Sequence, residues 1–272
     1  MAELTYDESL ASDFFKVVVG AERRTFHLHS TLVARLSKAL HKLLYGSMKE
    51  AQERSVQWLD VDVPTFVRFG EFIYTGDYHA APYTSRIVPV PVDSDASPAE
   101  PVAEIVRAPS FTKRKKGATW NSKSSAYLRP ASGSLWSEFS QLYADFSPTN
   151  VRENGPSDDY TDVFLGHAKV YVFAGCYGIA TLRALSLGKL RKTLEIFALY
   201  QAGVQDVIRL IRYCYQNTAD KVSEEDELRI LVNMYTACKV ETLWEDADFA
   251  GLVETNGEYA KGLINFIVRR VS

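Results

Sequence analysis

Residues 59–78, LDVDVPTFVRFGEFIYTGDY, constrain the fold of this chain more than any other stretch. Pro64 suits a first helical turn, because its missing N–H would be unpaired there in any case. Apolar side chains then recur every three or four residues, at Phe66, Val67, Phe69, Ile73 and Tyr74. Gly76 can adopt the left-handed conformation that ends many helices. The stretch therefore predicts a helix from Pro64 to Gly76 with one wide apolar face.

The composition is that of an ordinary globular protein. The chain has 272 residues, 46% of them hydrophobic and 24% charged, which suffices for one large or two ordinary domains. Its net charge of -3 gives no general attraction to nucleic acid or to anionic membranes. The cysteines are widely spaced and odd in number, at Cys176, Cys214 and Cys238, which favours buried free thiols in a reducing compartment.

No targeting or membrane segment is expected. The first residues are acidic and contain no apolar run, so the sequence predicts no signal peptide. No stretch approaches the ~18 consecutive apolar residues of a membrane span. These observations predict a soluble intracellular protein, either cytoplasmic or nuclear.

Two β-rich runs and two helical runs precede the predicted helix. Residues 14–19 (FFKVVV) and 25–28 flank a turn at Gly20, which predicts a β-hairpin. A helical period then continues to Tyr45, and Ser37 is expected to divide it into two helices. Residues 54–59 (RSVQWL) predict a third strand. The predicted order is strand, strand, two helices, strand and helix.

In this order the residues resemble the BTB/POZ family. The resemblance is carried by Ser12-Asp13-Phe14, the hairpin end FHLHS, the spacing of His29, Val33, Ala34 and Ser37, the triplet Met48-Lys49-Glu50, and the ending FIYTGDY. It implies an α+β fold with a small three-stranded sheet flanked by helices. One departure is Val63, where the family often has an Asp that caps the helix. Capping is then expected from Asp62 or from the backbone, at a cost of ~1 kcal/mol.

Residues 80–161 differ in composition from their surroundings. They contain nine of the ten prolines and are rich in Ser, Ala and Gly. Such a stretch buries too little apolar surface to offset its ordering entropy, so we predict a mostly disordered insertion. An amphipathic segment from Leu135 to Phe146 interrupts it. We expect this segment to dock on the domain, because so short a helix is marginal alone; engagement of a partner is the alternative.

The remaining chain is predicted to be helical. The segment 167–194 resembles the part of fungal BTB proteins that resumes after a variable insertion, and so is expected to complete the domain. Further helices are predicted at 204–215, 223–238, 241–254 and 257–271, similar to the region that follows the BTB core in related fungal proteins. The predicted domains are a BTB/POZ core at 12–79 and 162–196, the insertion at 80–161, and an all-helical C-terminal region at 197–272.

Three residues are candidates for contact with a partner protein. Met48 and Glu50 match the hydrophobic-x-Glu pattern with which some BTB proteins hold the cullin scaffold of a ubiquitin ligase. An apolar plug and an orienting carboxylate suit such a contact. Tyr74 lies where the family often places an aromatic contact to the same partner. The alternatives are a chance match of the short pattern and an ordinary core position for Tyr74.

The sequence offers no residue set for catalysis, cofactor binding or metal binding. His27 and His29 share one face of a strand, but a metal site needs a third ligand, so ordinary strand histidines are expected. No G-x-S-x-G, P-loop or G-x-G-x-x-G pattern occurs. A basic run inside the insertion, Lys113, Arg114, Lys115 and Lys116, is either a nuclear-import signal or solvated charge.

These residues predict a non-enzymatic protein–protein interaction module. The sharper hypothesis is a substrate adaptor of a cullin-dependent ubiquitin ligase. The alternative is a nuclear transcriptional co-regulator or scaffold that acts through BTB self-association. Because family members often form homodimers through their first helices, we expect apolar residues within 32–44 to form any dimer face. Neither nucleic acid nor a membrane is expected as a partner.

Overall fold

The computed structural model describes residues 6–86, 132–146, 152–219 and 225–271. Its first elements are α1 Tyr6–Leu10, β1 Phe14–Val19, β2 Arg24–His29, α2 Ser30–Ala34, α3 Lys38–Tyr45, α4 Lys49–Glu53, β3 Ser55–Trp58, α5 Val63–Thr75 and β4 Thr84–Ser85. They are followed by α6 Ser132–Gln141, β5 Asp158–Asp159, α7 Thr161–Cys176, α8 Ala180–Ile196, α9 Val204–Asn217, α10 Glu227–Cys238, α11 Val240–Leu243, α12 Ala247–Thr255 and α13 Gly257–Val271. Short 3-10 helices lie at Ala144–Phe146 and Gln201–Gly203.

The first part of the chain forms a three-stranded sheet in the order β2-β1-β3. Strands β1 and β2 are antiparallel, with Phe14 opposite His29, whereas β3 runs parallel to β1. Gly20 makes the hairpin turn at a φ of +73°, a conformation that glycine adopts without steric cost. Helices flank this sheet, and an all-helical region follows it, so the predicted α+β fold is confirmed.

Helix α5 has both of its predicted ends. The backbone N–H of Thr65 donates to Asp62 Oδ1 at 2.8 Å, so Asp62 supplies the cap. Gly76 ends the helix at a φ of +77°. The predicted apolar face is wrong in part, since Val67 and Tyr74 are exposed. These two residues are seven apart and share the outward face; the buried residues of the helix are Thr65, Phe66, Phe69, Phe72 and Ile73.

Ser37 divides the two helices after the hairpin, as predicted. Its Oγ accepts a hydrogen bond from the N–H of Leu40 at 3.1 Å and so caps α3. Of the apolar residues within 32–44, Leu32, Val33, Ala34, Leu40 and Leu44 are core residues of this domain, whereas Leu36 and Leu43 are half-buried and Ala39 is exposed. Tyr45 at the end of α3 is exposed as well, and a dimer face on these helices stays a prediction.

Helix α7 completes the core of the first part. The ring of Phe173 lies 5.3 Å from that of Trp58 and 4.8 Å from that of Phe69, measured between centroids. All three side chains are buried. The helix begins at Thr161, six residues earlier than the sequence predicts. Residues on both sides of the predicted insertion therefore share one hydrophobic cluster.

A second hydrophobic cluster holds the C-terminal helices together, and α6 docks onto it. Leu135 and Phe139 are buried there, and the Phe139 ring lies 5.8 Å from that of Tyr235. The predicted docking of this amphipathic segment is confirmed. The predicted insertion, 80–161, thus contains described parts that are structured; the basic run Lys113, Arg114, Lys115 and Lys116 lies outside the described residues.

The predicted helix at 241–254 is wrong, because two helices, α11 and α12, occupy that stretch. Asp246 lies between them, and its Oδ1 accepts from the N–H groups of Asp248 at 2.9 Å and Phe249 at 3.3 Å. A side chain that caps new N–H groups starts a second helix. Asp226 caps α10 in the same way.

Asp206 of α9 binds residues on both sides of the stretch 87–157, namely Arg86 before it and Tyr160 and Thr161 after it. Arg86 Nη2 lies 2.5 Å from both carboxylate oxygens of Asp206, which is fully buried. Asp206 also accepts from the backbone N–H of Tyr160 at 3.0 Å and from the hydroxyl of Thr161 at 2.9 Å. Nearby, β4 pairs with β5, and the N–H of Arg86 donates to the carbonyl of Ser157 at 2.7 Å.

A buried polar network joins the end of α5 to α7 and α8. Tyr78 Oη lies 2.9 Å from His167 Nδ1. Lys189 Nζ donates to the Tyr78 carbonyl at 2.8 Å and pairs with Asp77 at 2.7 Å. Burial, followed by the charges of Lys189 and Arg68, lowers the pKa of His167 to about 3. The imidazole is therefore neutral in the folded protein at neutral pH.

The network predicts a loss of stability in acid. The usual histidine pKa is 6.5, so between pH 6.5 and about 3 the unfolded chain binds a proton that folded His167 does not. The free energy of unfolding should therefore fall by about 2 kcal/mol from this group between pH 7 and pH 5. In urea titrations at both pH values, His167→Gln should lack this drop. The exposed His27→Gln should retain it, and equal drops in wild type and His167→Gln would contradict the assignment.

Candidate partner-binding surface

Met48 and Glu50 lie at the start of the short helix α4. Met48 precedes the helix in extended conformation, and its side chain is 58% exposed. Glu50 is half-buried in the first turn, and the helix ends at Arg54 in the left-handed region, at a φ of +48°. Because α4 contains no buried residue, both candidate side chains belong to the surface of the domain.

Tyr74 lies on a different element and is held by His29. Its hydroxyl is 2.9 Å from His29 Nδ1 and also accepts from the backbone N–H of His29 at 3.4 Å. The ring of Phe14, opposite His29 on β1, lies 4.6 Å from the imidazole. Tyr74 is 36% exposed, so it is not an ordinary core residue. The three rings form an aromatic row at one end of the sheet.

An open hollow of about 560 Å³ connects the aromatic row to the Met48 helix. We call it the N-terminal hollow. Phe14 and Tyr45 line it with Ala51 and Gln52 of α4, and the Tyr45 hydroxyl donates to Ser30 Oγ at 3.0 Å. Phe14 thus belongs to both the aromatic row and the hollow, whereas Met48, Glu50 and Tyr74 are not among the residues that line it.

The sequence missed His29 as a positioning residue. It predicted an ordinary strand histidine, whereas the ring fixes the Tyr74 hydroxyl from 45 residues away in sequence. The signal that was available is its register: His29 is the last residue of β2, directly opposite Phe14. Aromatic pairs in such positions interact across strands. His27 is exposed and lies opposite Lys16.

The family model of the BTB/POZ domain matches residues 6–88. The chain contains a BTB/POZ domain. The match extends from α1 through β4 and includes Met48, Glu50, Tyr74 and the N-terminal hollow. No curated protein matches the chain significantly. A BTB/POZ domain is a protein–protein interaction module and is not typically catalytic, so binding of other proteins is the general function of this one.

Residues 6–86, 132–146, 152–219 and 225–271 contain no group of three or more His, Cys, Asp or Glu placed to hold a metal ion. Over the same ranges, every helix is too short or too polar to cross a bilayer.

The three cysteines of the chain are free thiols in different environments. Cys214 is buried, and burial raises the pKa of its thiol. Cys238 is half-buried, and burial raises its pKa to about 11. Cys176, the last residue of α7, is exposed, contrary to the prediction that all three are core residues.

Proposed function

We propose that this BTB/POZ domain binds the scaffold of a cullin-dependent ubiquitin ligase and serves as a substrate adaptor. In this proposal Met48, Glu50 and Tyr74 all contact the scaffold. The observation that carries the proposal is the exposure of Met48 at the start of α4, on the same domain as a Tyr74 side chain that His29 holds in place.

The three side chains supply complementary contributions to binding. Burying an exposed methionine side chain contributes about 1.5–3 kcal/mol. The Glu50 carboxylate selects orientation and suppresses wrong partners through its charge. Tyr74 is already held by His29 at 2.9 Å, so it loses little rotamer freedom when a partner covers it. A pre-positioned aromatic beside an apolar plug is typical of interface hot spots.

The test is a titration of the purified full chain against the N-terminal domain of a cullin scaffold. Met48→Ala and Glu50→Lys should each weaken binding by at least about 30-fold, because hot-spot truncations cost about 2 kcal/mol or more. Ile264→Ala on α13 is the matched control, since Ile264 is a comparably exposed apolar residue, at 55%. Its affinity should equal that of the wild type.

The unfolding midpoints of all variants should agree, because the substituted side chains make no core contact. Absence of binding by the wild-type chain would end the adaptor proposal and leave a BTB/POZ interaction module of another kind. Equal affinities of Met48→Ala and the wild type would remove Met48 from the contact.

As the alternative we propose a scaffold or nuclear co-regulator that acts through self-association. Leu10, Phe14 and Tyr45 are exposed by 44%, 57% and 51%, and the last two line the N-terminal hollow. Sedimentation should then give twice the monomer mass for the wild type and the monomer mass for Leu10→Asp combined with Phe14→Asp. A monomeric wild type would contradict self-association. Nuclear entry in this alternative depends on Lys113, Arg114, Lys115 and Lys116.

A further inference from the structure

A second hollow, of about 410 Å³, lies beside the end of α5. We call it the seam pocket; its walls come from the segment after α5 and from α7 and α8. Among the residues that line it, the polar side chains of His167, Lys189 and Thr193 are 2%, 6% and 3% exposed. Its volume falls within the range of sites for small molecules.

One nitrogen at the floor of the seam pocket has no protein partner. Burial raises the pKa of Tyr78 and lowers that of His167, so both groups are neutral. The Tyr78 hydroxyl has no other acceptor among the described residues than His167 Nδ1, so we assign the tautomer in which the hydroxyl donates to Nδ1 and the imidazole hydrogen lies on Nε2. None of the hydrogen bonds between described residues involves His167 Nε2. Nε2 is not among the fully buried side-chain atoms that lack a partner, so it is accessible, and an acceptor from a ligand in the pocket can reach it.

One wall of the seam pocket is flat and aromatic. The rings of Tyr83 and Tyr160 stack with centroids 5.8 Å apart and planes within 16°. The guanidinium of Arg152 lies 4.4 Å from the centroid of the Tyr83 ring. Its side chain is 56% exposed, and its closest carboxylate, Asp158, is 3.5 Å away. The guanidinium therefore keeps donor capacity at the mouth of the pocket.

The charges that line the seam pocket favour one negative charge. Arg152, Lys189 and Asp77 are its charged lining residues, which gives a net charge of about +1 at neutral pH. The Asp77 carboxylate already accepts from Lys189 at 2.7 Å and from the N–H of Tyr78 at 2.8 Å. A singly charged acid would balance the remaining charge, whereas a phosphate dianion would exceed it.

We propose that the seam pocket binds a small monocarboxylic acid with a flat apolar body. The carboxylate accepts hydrogen bonds from His167 Nε2 and from the guanidinium of Arg152. The flat body lies against the apolar part of the lining, which includes Pro82, Tyr83 and Val163. This site is separate from the N-terminal hollow, and the inference does not depend on the adaptor proposal.

Benzoate is the probe, added to the purified full chain and followed by calorimetry and by the NMR signals of the histidine rings. Benzoate should bind with a dissociation constant of about 1 mM or lower. The ring signals of His167 should shift, while those of exposed His27 stay in place. Benzamide has the same shape without the charge and should bind at least about tenfold more weakly, since hydrogen bonds to a charged group are the stronger. Inorganic phosphate should also bind more weakly than benzoate.

Two variants test separately how the contact with the carboxylate and the contact with the aromatic wall contribute to affinity. Arg152→Gln should weaken benzoate at least about tenfold and leave benzamide unchanged. Tyr83→Leu should weaken both compounds. The control is Arg209→Gln, which removes a comparably exposed guanidinium, at 53%, outside the seam pocket, and should bind benzoate as the wild type does.

Three results would overturn the inference. One is the absence of both heat and a His167 shift at about 10 mM benzoate. Another is equal affinity for benzoate and benzamide, which would exclude recognition of the acid. The third is an unchanged affinity of Arg152→Gln for benzoate.

Discussion

Replacing Arg86 by Met should lower the free energy of unfolding by about 3–5 kcal/mol, the cost of leaving a buried charge without its partner. Asp206 is fully buried, and both of its oxygens accept from Arg86 Nη2 at 2.5 Å. In the variant the Asp206 carboxylate keeps its hydrogen bonds from the N–H of Tyr160 and from the hydroxyl of Thr161, but it loses the positive charge of Arg86. Urea denaturation of the full chain measures the change.

A second substitution tests whether the buried charge is the cause. Asp206→Asn in the Arg86→Met background replaces the carboxylate by a neutral amide, so the double variant should be more stable than Arg86→Met alone. The control is Lys49→Met, which removes an exposed pair with Glu53 at 3.5 Å and should cost less than about 1 kcal/mol. If Arg86→Met lowered the free energy of unfolding as little as Lys49→Met does, the ion pair of Arg86 with Asp206 would contribute no more to stability than a surface ion pair.

Replacing Phe173 by Ala should also cost about 3–5 kcal/mol, because a large side chain is removed from a packed core. Its ring contacts Trp58 and Phe69, which belong to β3 and α5. The cavity would open between the matched BTB/POZ region and a helix outside that match. Thermal and urea unfolding of the full chain measure the loss.

Cys176→Ala is the matched control on the same helix. Cys176 is exposed, so its truncation should change stability by less than about 0.5 kcal/mol. Phe173→Ala should also keep a single unfolding transition, since both parts of the chain share one cluster. Two separate transitions in the wild type would show that α7 and the sheet unfold independently.

Much of the fold was predictable because its signals are local. The ends of α5 depend on Asp62 and Gly76, which lie within or beside the helix itself. The break between α2 and α3 depends on Ser37, a single capping residue. Strand alternation and helical period are properties of consecutive residues, so the sheet and the docking of α6 followed from short stretches.

What was missed depends on residues far apart in sequence. Arg86 and Asp206 are 120 positions apart, and His29 and Tyr74 are 45 apart; neither pair leaves a periodic signal. The predicted apolar face of α5 included Val67 and Tyr74, which are exposed. Which apolar residues of a helix are buried depends on the elements that pack against it, and these are distant in sequence. The network of His167 and Lys189 was missed for the same reason, because their partners Tyr78 and Asp77 lie in a distant part of the sequence. The contact of Met48 and Glu50 with a cullin stays a prediction.

The pairing of β4 with β5 has a consequence for the length of the chain between them. Arg86 and Ser157 share a hydrogen bond of 2.7 Å, and α6, which lies between them in sequence, packs on the second hydrophobic cluster. The entropy of closing a segment between fixed ends grows only with the logarithm of its length, by about 0.6 kcal/mol for each doubling. A change in the number of residues between 87 and 131 should therefore cost little free energy of unfolding, provided that the contacts of Arg86 and of α6 are kept.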